Sequence, residues 1–311
     1  VAPQTAVALR ALKLGDLLVA VPALRALARG LPEHRLLLAT TGWLAPVVEL
    51  VPGVDGILPQ QGVDHPLRVA PGSVDVLANL HGGPASLPIV AAAGAREVID
   101  HGPAVGWVDG IHERVRWVRL VAAHGMPGDP DEVDLLHPGA GPVAAASVVH
   151  VGAFHGARWW PQERFAQVAR VLPPPVVVTG SARERDRALA VAAAAGLPSS
   201  AVLAGRLDLR AFAALIADAR IVVSADTGAA HLAAAYRRPC VVLFGPAPVG
   251  EWGPPASSPH VVLTHAHLRR GDAFADDPDP ALLAVSVAEV LDAAAALLEG
   301  PRVTPARSDR S

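Results

Sequence analysis

The sequence predicts an α/β protein of two units, each a parallel sheet with helices on its faces. Three observations carry this. Short apolar runs rich in Val, Leu and Ile alternate with segments of helical periodicity along the chain. The alternation lapses once, over residues 125–146, and restarts with greater clarity at Val148. Several apolar runs end in polar, glycine-containing turns, such as Leu14-Gly15-Asp16 and Asp226-Thr227-Gly228, which suits a strand passing into a helix and back to a parallel strand.

In chain order, residues 5–12 read as a strand ending at Lys13-Leu14-Gly15-Asp16. Leu17, Val21, Leu24, Ala28 and Leu31 then recur at spacings of 4, 3, 4 and 3, one face of an amphipathic helix. Asp16 falls at its N-cap and Pro22 is expected to kink it. Residues 35–40 form a strand, and 43–51 a helix stopped by Pro52-Gly53. Strands at 54–58 and 74–80 flank a Pro-rich loop over 59–73. An apolar helix follows Pro84, then an irregular stretch over 100–110. A helix over 112–124 carries Trp117 and a basic side of Arg114, Arg116 and Arg119.

Residues 125–146 are rich in Gly, Pro and acid without apolar periodicity, which reads as a linker. The domains are therefore placed at 1–141 and 142–311. In the second, strands at 148–152, 176–180 and 201–205 alternate with helices at 161–172, 182–195 and 208–218. The stretch Arg220 to Pro246 adds an apolar run, the Asp226-Thr227-Gly228 turn, an Ala-rich helix carrying His231, and a strand over 241–244. A helix over about 281–298 closes the chain, and the tail 301–311 is expected to be disordered.

Bulk composition narrows the function. The 311 residues are 51% hydrophobic and 18% charged, a globular balance. Ala and Val inflate the mean hydropathy of +0.36, and no charge-free run nears the roughly 20 residues a spanning helix needs. Arg10, Lys13 and Asp16 interrupt the first apolar stretch and spoil a signal-peptide core. Cys240 stands alone, so no internal disulfide forms. The expected location is cytoplasmic, without a transmembrane segment and compatible with peripheral membrane association. A net charge of −3 leaves no electrostatic footprint for nucleic acid. Residues 1–141 carry ten basic against fourteen acidic side chains.

Three loops at carboxyl ends of strands hold polar groups that need a reason. Asp16 is equally a helix cap or a catalytic carboxylate. Arg158, just before a helix opened by Pro161, suits bidentate phosphate contact or a surface ion pair. Asp226-Thr227-Gly228 aims free N–H groups and a helix N-terminus at an anion, with His231 either structural or a ligand. Other matches fail on context. Asp-Thr-Gly also marks aspartic proteases, but this copy is single and leads into a helix. Gly139-Ala140-Gly141-Pro142-Val143-Ala144 follows a linker rather than a strand. His265 and His267 lack a third metal ligand at sensible spacing, and no metal site is expected.

Taken together, these loops resemble those of glycosyltransferase family 9, the ADP-heptose:lipopolysaccharide heptosyltransferase type, in four blocks over nearly the whole chain. The blocks are Leu14 to Leu27, Arg158-Trp159-Trp160-Pro161 with Phe165, Gly180 to Arg185, and Asp226 to His231 with Leu243-Phe244-Gly245-Pro246. The resemblance implies a GT-B arrangement: two Rossmann-like domains facing a cleft, the first binding acceptor and the second nucleotide-sugar. It also implies an inverting reaction without metal or cofactor, the donor being a nucleoside-diphosphate sugar, ADP-sugar favoured. Asp16 is then the general base. Arg158, Ser181, Glu184, Asp226, Thr227, Gly228, Ala229 and His231 bind the donor, Glu184 through ribose hydroxyls, and Gly15 and Lys13 are further diphosphate contacts. Ala153 and Phe154 stand where the family carries hydroxyl residues, so the donor can differ from ADP-heptose. The acidic first half disfavours a phosphorylated lipopolysaccharide core, leaving a small molecule or a glycan precursor as acceptor. A sugar-nucleotide epimerase and a non-catalytic nucleotide-sugar binding protein are the alternative readings.

Overall fold

The computed structural model describes residues 4–70, 72–103 and 105–299; the tail expected over 301–311 lies outside them. The first sheet is built from β1 (Gln4–Leu9), β2 (His34–Thr40), β3 (Gly56–Pro59), β4 (Val76–Asn79) and β5 (Glu97–Ile99). Its order is β3-β2-β1-β4-β5 and every pairing is parallel. The connecting helices are α1 (Leu14–Gly30), α2 (Ala45–Val48), α3 (Leu87–Ala93) and α4 (Glu113–Ala122).

The second sheet contains β6 (Ser147–His150), β7 (Val176–Thr179), β8 (Ile221–Ala225), β9 (Cys240–Leu243) and β10 (His260–Leu263). It is also wholly parallel, in the order β10-β9-β8-β6-β7. Helices α5 (Gln162–Val171), α6 (Arg185–Ala195), α7 (Leu209–Ala217), α8 (Gly228–Ala235), α9 (Val249–Trp252), α10 (Pro280–Leu283) and α11 (Val287–Glu299) complete it. The strand order reverses between β1 and β4 in one sheet and between β6 and β8 in the other. Parallel sheets open a crevice at such points, outside the carboxyl ends of the strands.

Period-2 alternation sorts the strand residues onto two faces. In β1, Val7 and Leu9 pack with Ile89, Val90 and Ala93 of α3 on the outer face. Ala6 and Ala8 point the other way, under α1 and α4. In β8, Ile221 and Val223 join the core under α5, α6 and α11, while Val222 faces α7 and α8. The two inner faces share one continuous apolar cluster, running from Leu17 and Leu24 of α1 to Leu232 and Ala233 of α8. That is why α1 is buried on more than the single face its periodicity marks, with Leu14, Leu18, Val19, Ala20 and Leu27 also inside.

Several sequence expectations are corrected. The strand expected at 201–205 is one bridge, Val178 to Val202, because Gly205 (φ +68°) turns the chain away from β7. The helix expected at 43–51 is a 3-10 turn over Gly42–Leu44 and the single turn α2, and the one at 281–298 divides into α10 and α11. Two edge strands, β5 and β10, were not expected. Asp16 is not the N-cap of α1: Lys13 is, and Asp16 sits three residues on, its Oδ2 accepting the Lys13 N–H at 3.2 Å.

The basic side of α4 is turned inward. Arg114 and Arg116 are buried and only Arg119 stays exposed. The linker is an ordered strap touching both halves. Within it Glu132 binds Arg25 (2.6 Å) and Arg29, Asp134 binds Arg237 through two hydrogen bonds, and Gly141 N–H donates to Asp218 Oδ2 (2.7 Å). Among the described residues no helix is long and apolar enough to cross a membrane.

Candidate active site

The loops leaving β1, β6 and β8 meet where the two sheets face each other. The meeting is tight because its closest residues are glycines. A Cβ on Gly228 would lie 2.6 Å from Leu14 Cδ2, and one on Gly15 would lie 3.2 Å from His231 Cδ2. The first turns of α1 and α8 therefore touch, which brings Lys13, Gly15 and Asp16 opposite Asp226, Thr227, Gly228, Ala229 and His231. The two helix N-termini converge on one spot, a favourable place for negative charge.

Asp16 is held by backbone geometry and by Arg10, a residue the sequence reading passed over as a charge inside a strand. Arg10 is 2% exposed. Its Nε–H donates to the Asp16 carbonyl (2.8 Å), its Nη1–H to the Leu80 carbonyl (2.6 Å), and its Nη2 lies 3.4 Å from Asp16 Oδ1 and 3.6 Å from Glu113. Its guanidinium also covers the Trp117 ring at 4.7 Å. Burial lowers the Arg10 pKa, and Asp16 and Glu113 pull it back up. Asp16 remains partly exposed (23% of its side chain), with Oδ1 oriented by Arg10 and Oδ2 by the Lys13 N–H.

Asp226 is buried at the start of the loop that leads into α8. It is 7% exposed, with Oδ2 at 3.4 Å from Arg158 Nε and Oδ1 at 3.7 Å from His231 Nε2. Burial raises its pKa, Arg158 opposes that rise, and Asp16 across the cleft adds to it. Asp226 thus orients Arg158 rather than presenting its own carboxylate. The outer guanidinium nitrogens of Arg158 bind no other described residue. His231 is driven down to about 3, by burial first and then by Arg114, His112, His260 and Arg158. It is a neutral spacer between the two loops and not a cation. Ser224 Oγ donates to the Ala225 carbonyl (2.7 Å) and stands 2.9 Å from Thr227 Oγ1. With its one proton spent, Ser224 accepts the Thr227 hydroxyl.

Lys13 leans across the cleft and places its Nζ 3.9 Å from the centre of the exposed Phe154 ring, a cation–π contact. Phe154 stands in the loop after β6, tied to the 272–279 segment by the Ala157 N–H to Ala275 carbonyl bond (2.8 Å). Ser181 and Glu184 lie one strand over, after β7, and bond each other. Ser181 N–H donates to Glu184 Oε2 (2.6 Å), and Ser181 Oγ accepts from Arg183 N–H (3.2 Å). A Cβ on Gly152 would come within 3.1 Å of Glu184 Oε2 and 2.9 Å of His150 Nε2, so this pair flanks the β6 loop. His150, also missed from sequence, bonds Thr179 Oγ1 through Nδ1 (3.0 Å), and burial takes its pKa down to about 4. A pocket of about 280 Å³ between α9, β10 and His112 shares no lining residue with these loops.

Residues 143–273 match the family model described as Glycosyltransferase family 9 (heptosyltransferase). The chain is 32% identical to lipopolysaccharide heptosyltransferase 2 of Escherichia coli over 47% of its own length and 44% of that protein. It is 42% identical to lipopolysaccharide heptosyltransferase 1 of Pseudomonas aeruginosa over 32% of its length and 29% of that protein. The matched segments thus span less than half the length of these curated relatives. Fold similarity is broader. The E. coli ADP-heptose lps heptosyltransferase II structure superposes with a TM-score of 0.76 at 20% identity, covering 95% of this chain and 98% of that one. A glycosyl transferase family 9 protein from Veillonella parvula gives 0.75 at 18% identity, over 95% and 97%.

Proposed function

We propose that this chain, which is glycosyltransferase family 9 heptosyltransferase-like, is an inverting glycosyltransferase. It moves a sugar from a nucleoside-diphosphate donor to an acceptor hydroxyl without metal or cofactor. The observation that carries the reading is the contact of the Gly15-Asp16 loop with the Asp226-Thr227-Gly228 loop, a carboxylate facing a helix N-terminus across the crevices of two parallel sheets.

Asp16 accepts the proton of the acceptor hydroxyl as the oxygen attacks the anomeric carbon, a contribution of about 10²–10⁴-fold. The anomeric C–O bond to the diphosphate breaks on the opposite face, and the pair of electrons leaves with the phosphate oxygen. Arg158 and the N–H groups at the start of α8 stabilise that charge. Thr227 joins them when its hydroxyl turns from Ser224. Lys13 reaches the same diphosphate by releasing Phe154. Glu184 with Ser181 suits the ribose side of the nucleotide. An adenine nucleotide is the favoured donor moiety, since structures of E. coli heptosyltransferase WaaC are described with ADP and with ADP-2-deoxy-2-fluoro heptose. The acceptor is a glycan or small molecule rather than a phosphorylated core, and the site of action is cytoplasmic.

The test is Asp16→Ala. It is expected to cut turnover by about 10²-fold or more while ADP binding, measured by calorimetry, changes little. Unchanged turnover removes Asp16 from the role of base, and an epimerised nucleotide-sugar without transfer would favour an epimerase.

A further inference from the structure

Every aromatic side chain that is strongly exposed among the described residues, Trp43, Trp107, Phe154, Trp159 and Phe274, follows the carboxyl end of a strand. All five therefore stand in loops on the carboxyl-end side of the sheets. Exposed apolar groups scattered at random need no explanation; this segregation does.

Trp107 is the most fully built of them. It is 46% exposed, yet every other part of its ring is held. Arg116 lies against the ring at 3.8 Å, and Trp107 Nε1–H donates to Asp109 Oδ1 (3.0 Å). His101 and Trp117 meet it edge-on at 5.0 and 6.1 Å. Gly82, at φ +71°, brings backbone so close that a Cβ there would lie 2.7 Å from the ring. The wall it forms leads straight to the base, because Trp117 carries Arg10 and Arg10 holds Asp16.

Two partly exposed imidazoles, His81 and His101, stand beside this wall. His81 Nδ1 and His101 Nδ1 are buried without a hydrogen-bond partner. Burial lowers the pKa of both; at His81 Arg10 adds to this and Asp16 opposes it, and at His101 Asp100 opposes it while Arg116 and Arg119 add to it. The buried cations are committed, Arg10 to Asp16 and Leu80 and Arg116 to Glu113 and the Val108 carbonyl, while the exposed Arg119 makes one bond, to the Gly106 carbonyl. An aromatic face beside neutral donors and acceptors suits the apolar face and hydroxyls of a sugar ring. It offers little to a phosphate.

We propose that Trp107 is the stacking platform of an acceptor subsite for an uncharged sugar ring, with the partly exposed rings of His81 and His101 lining it. The proposal rests on the transferase reading above and names its acceptor class.

The full chain is titrated with maltose, cellobiose and lactose, and separately with glucose 6-phosphate, by ligand-observed NMR in the presence of ADP. At least one neutral disaccharide is expected to bind in preference to glucose 6-phosphate. Trp107→Ala and Trp107→Leu should weaken it about tenfold, and Trp107→Tyr should restore most of the loss. Binding of none of the three, preference for glucose 6-phosphate, or equal binding by wild type and Trp107→Leu overturns the proposal. ADP binding by the same samples separates the two readings. Wild-type chain that takes the disaccharide and not ADP fails the transferase reading alone; chain that takes ADP and no neutral sugar fails the subsite alone.

Discussion

Asp226 shows how one buried charge constrains its neighbours. Its carboxylate is desolvated, and Arg158 is the group that offsets this. Removing one partner of a buried pair leaves the other uncompensated. Arg158→Ala is expected to lower stability by about 1–3 kcal/mol at neutral pH, read by urea unfolding, besides weakening ADP binding. Asp226→Asn in the Arg158→Ala background should recover much of that stability and none of the binding. His150 makes a second prediction. Its folded pKa of about 4 lies below the ordinary 6.5, so below pH 6.5 the unfolded chain binds the proton first. The stabilisation is complete above pH 6.5 and is lost as pH falls towards 4, by roughly 3 kcal/mol in all. Thermal unfolding followed from pH 7 to 4.5 should fall less steeply in His150→Gln than in wild type.

At the scale of elements, α1 and α8 are the pair on which the cleft depends. Their N-terminal turns approach only because residues 15 and 228 are glycine. Gly228→Ala must push Leu14 aside in a packed interior, at a cost of about 1–3 kcal/mol. It is expected to lower the melting temperature and to weaken transfer more than ADP binding, because it widens the gap between base and donor. The Asp16 loop was legible in sequence because strand, Gly-Asp turn and helix follow one another locally. Arg10 was not: as a charge inside an apolar run it spoke only against a signal-peptide core. Only the approach of β4, α1 and α4 turns it into the group that holds Asp16 and caps Trp117. Edge strands β5 and β10 escaped notice for a related reason. They are short and half-exposed, and their apolar runs carry little of the burial that makes central strands recognisable.

For the whole molecule, the shared inner core argues against two independent halves. Side chains from α1, α4, α7 and α8 form a single apolar cluster, and the strap over 125–146 is pinned to both sides. Unfolding either half would expose the inner face of the other. Calorimetry of the chain is expected to give one transition, and a fragment covering 142–311 should expose apolar surface and bind a hydrophobic dye. Two resolved transitions would contradict the shared core.

The sequence by itself determined the two parallel sheets, the turns that end their strands, and the polar residues those turns carry. Periodicity and turn chemistry are local, and each is written within a dozen residues. Tertiary structure alone decided which of those residues work together. It buried Arg114, Arg116 and Asp226, packed His231 between the two loops, set Lys13 on Phe154 and left Trp107 half-exposed. Those outcomes depend on burial and on which elements pack against one another, which no local pattern encodes.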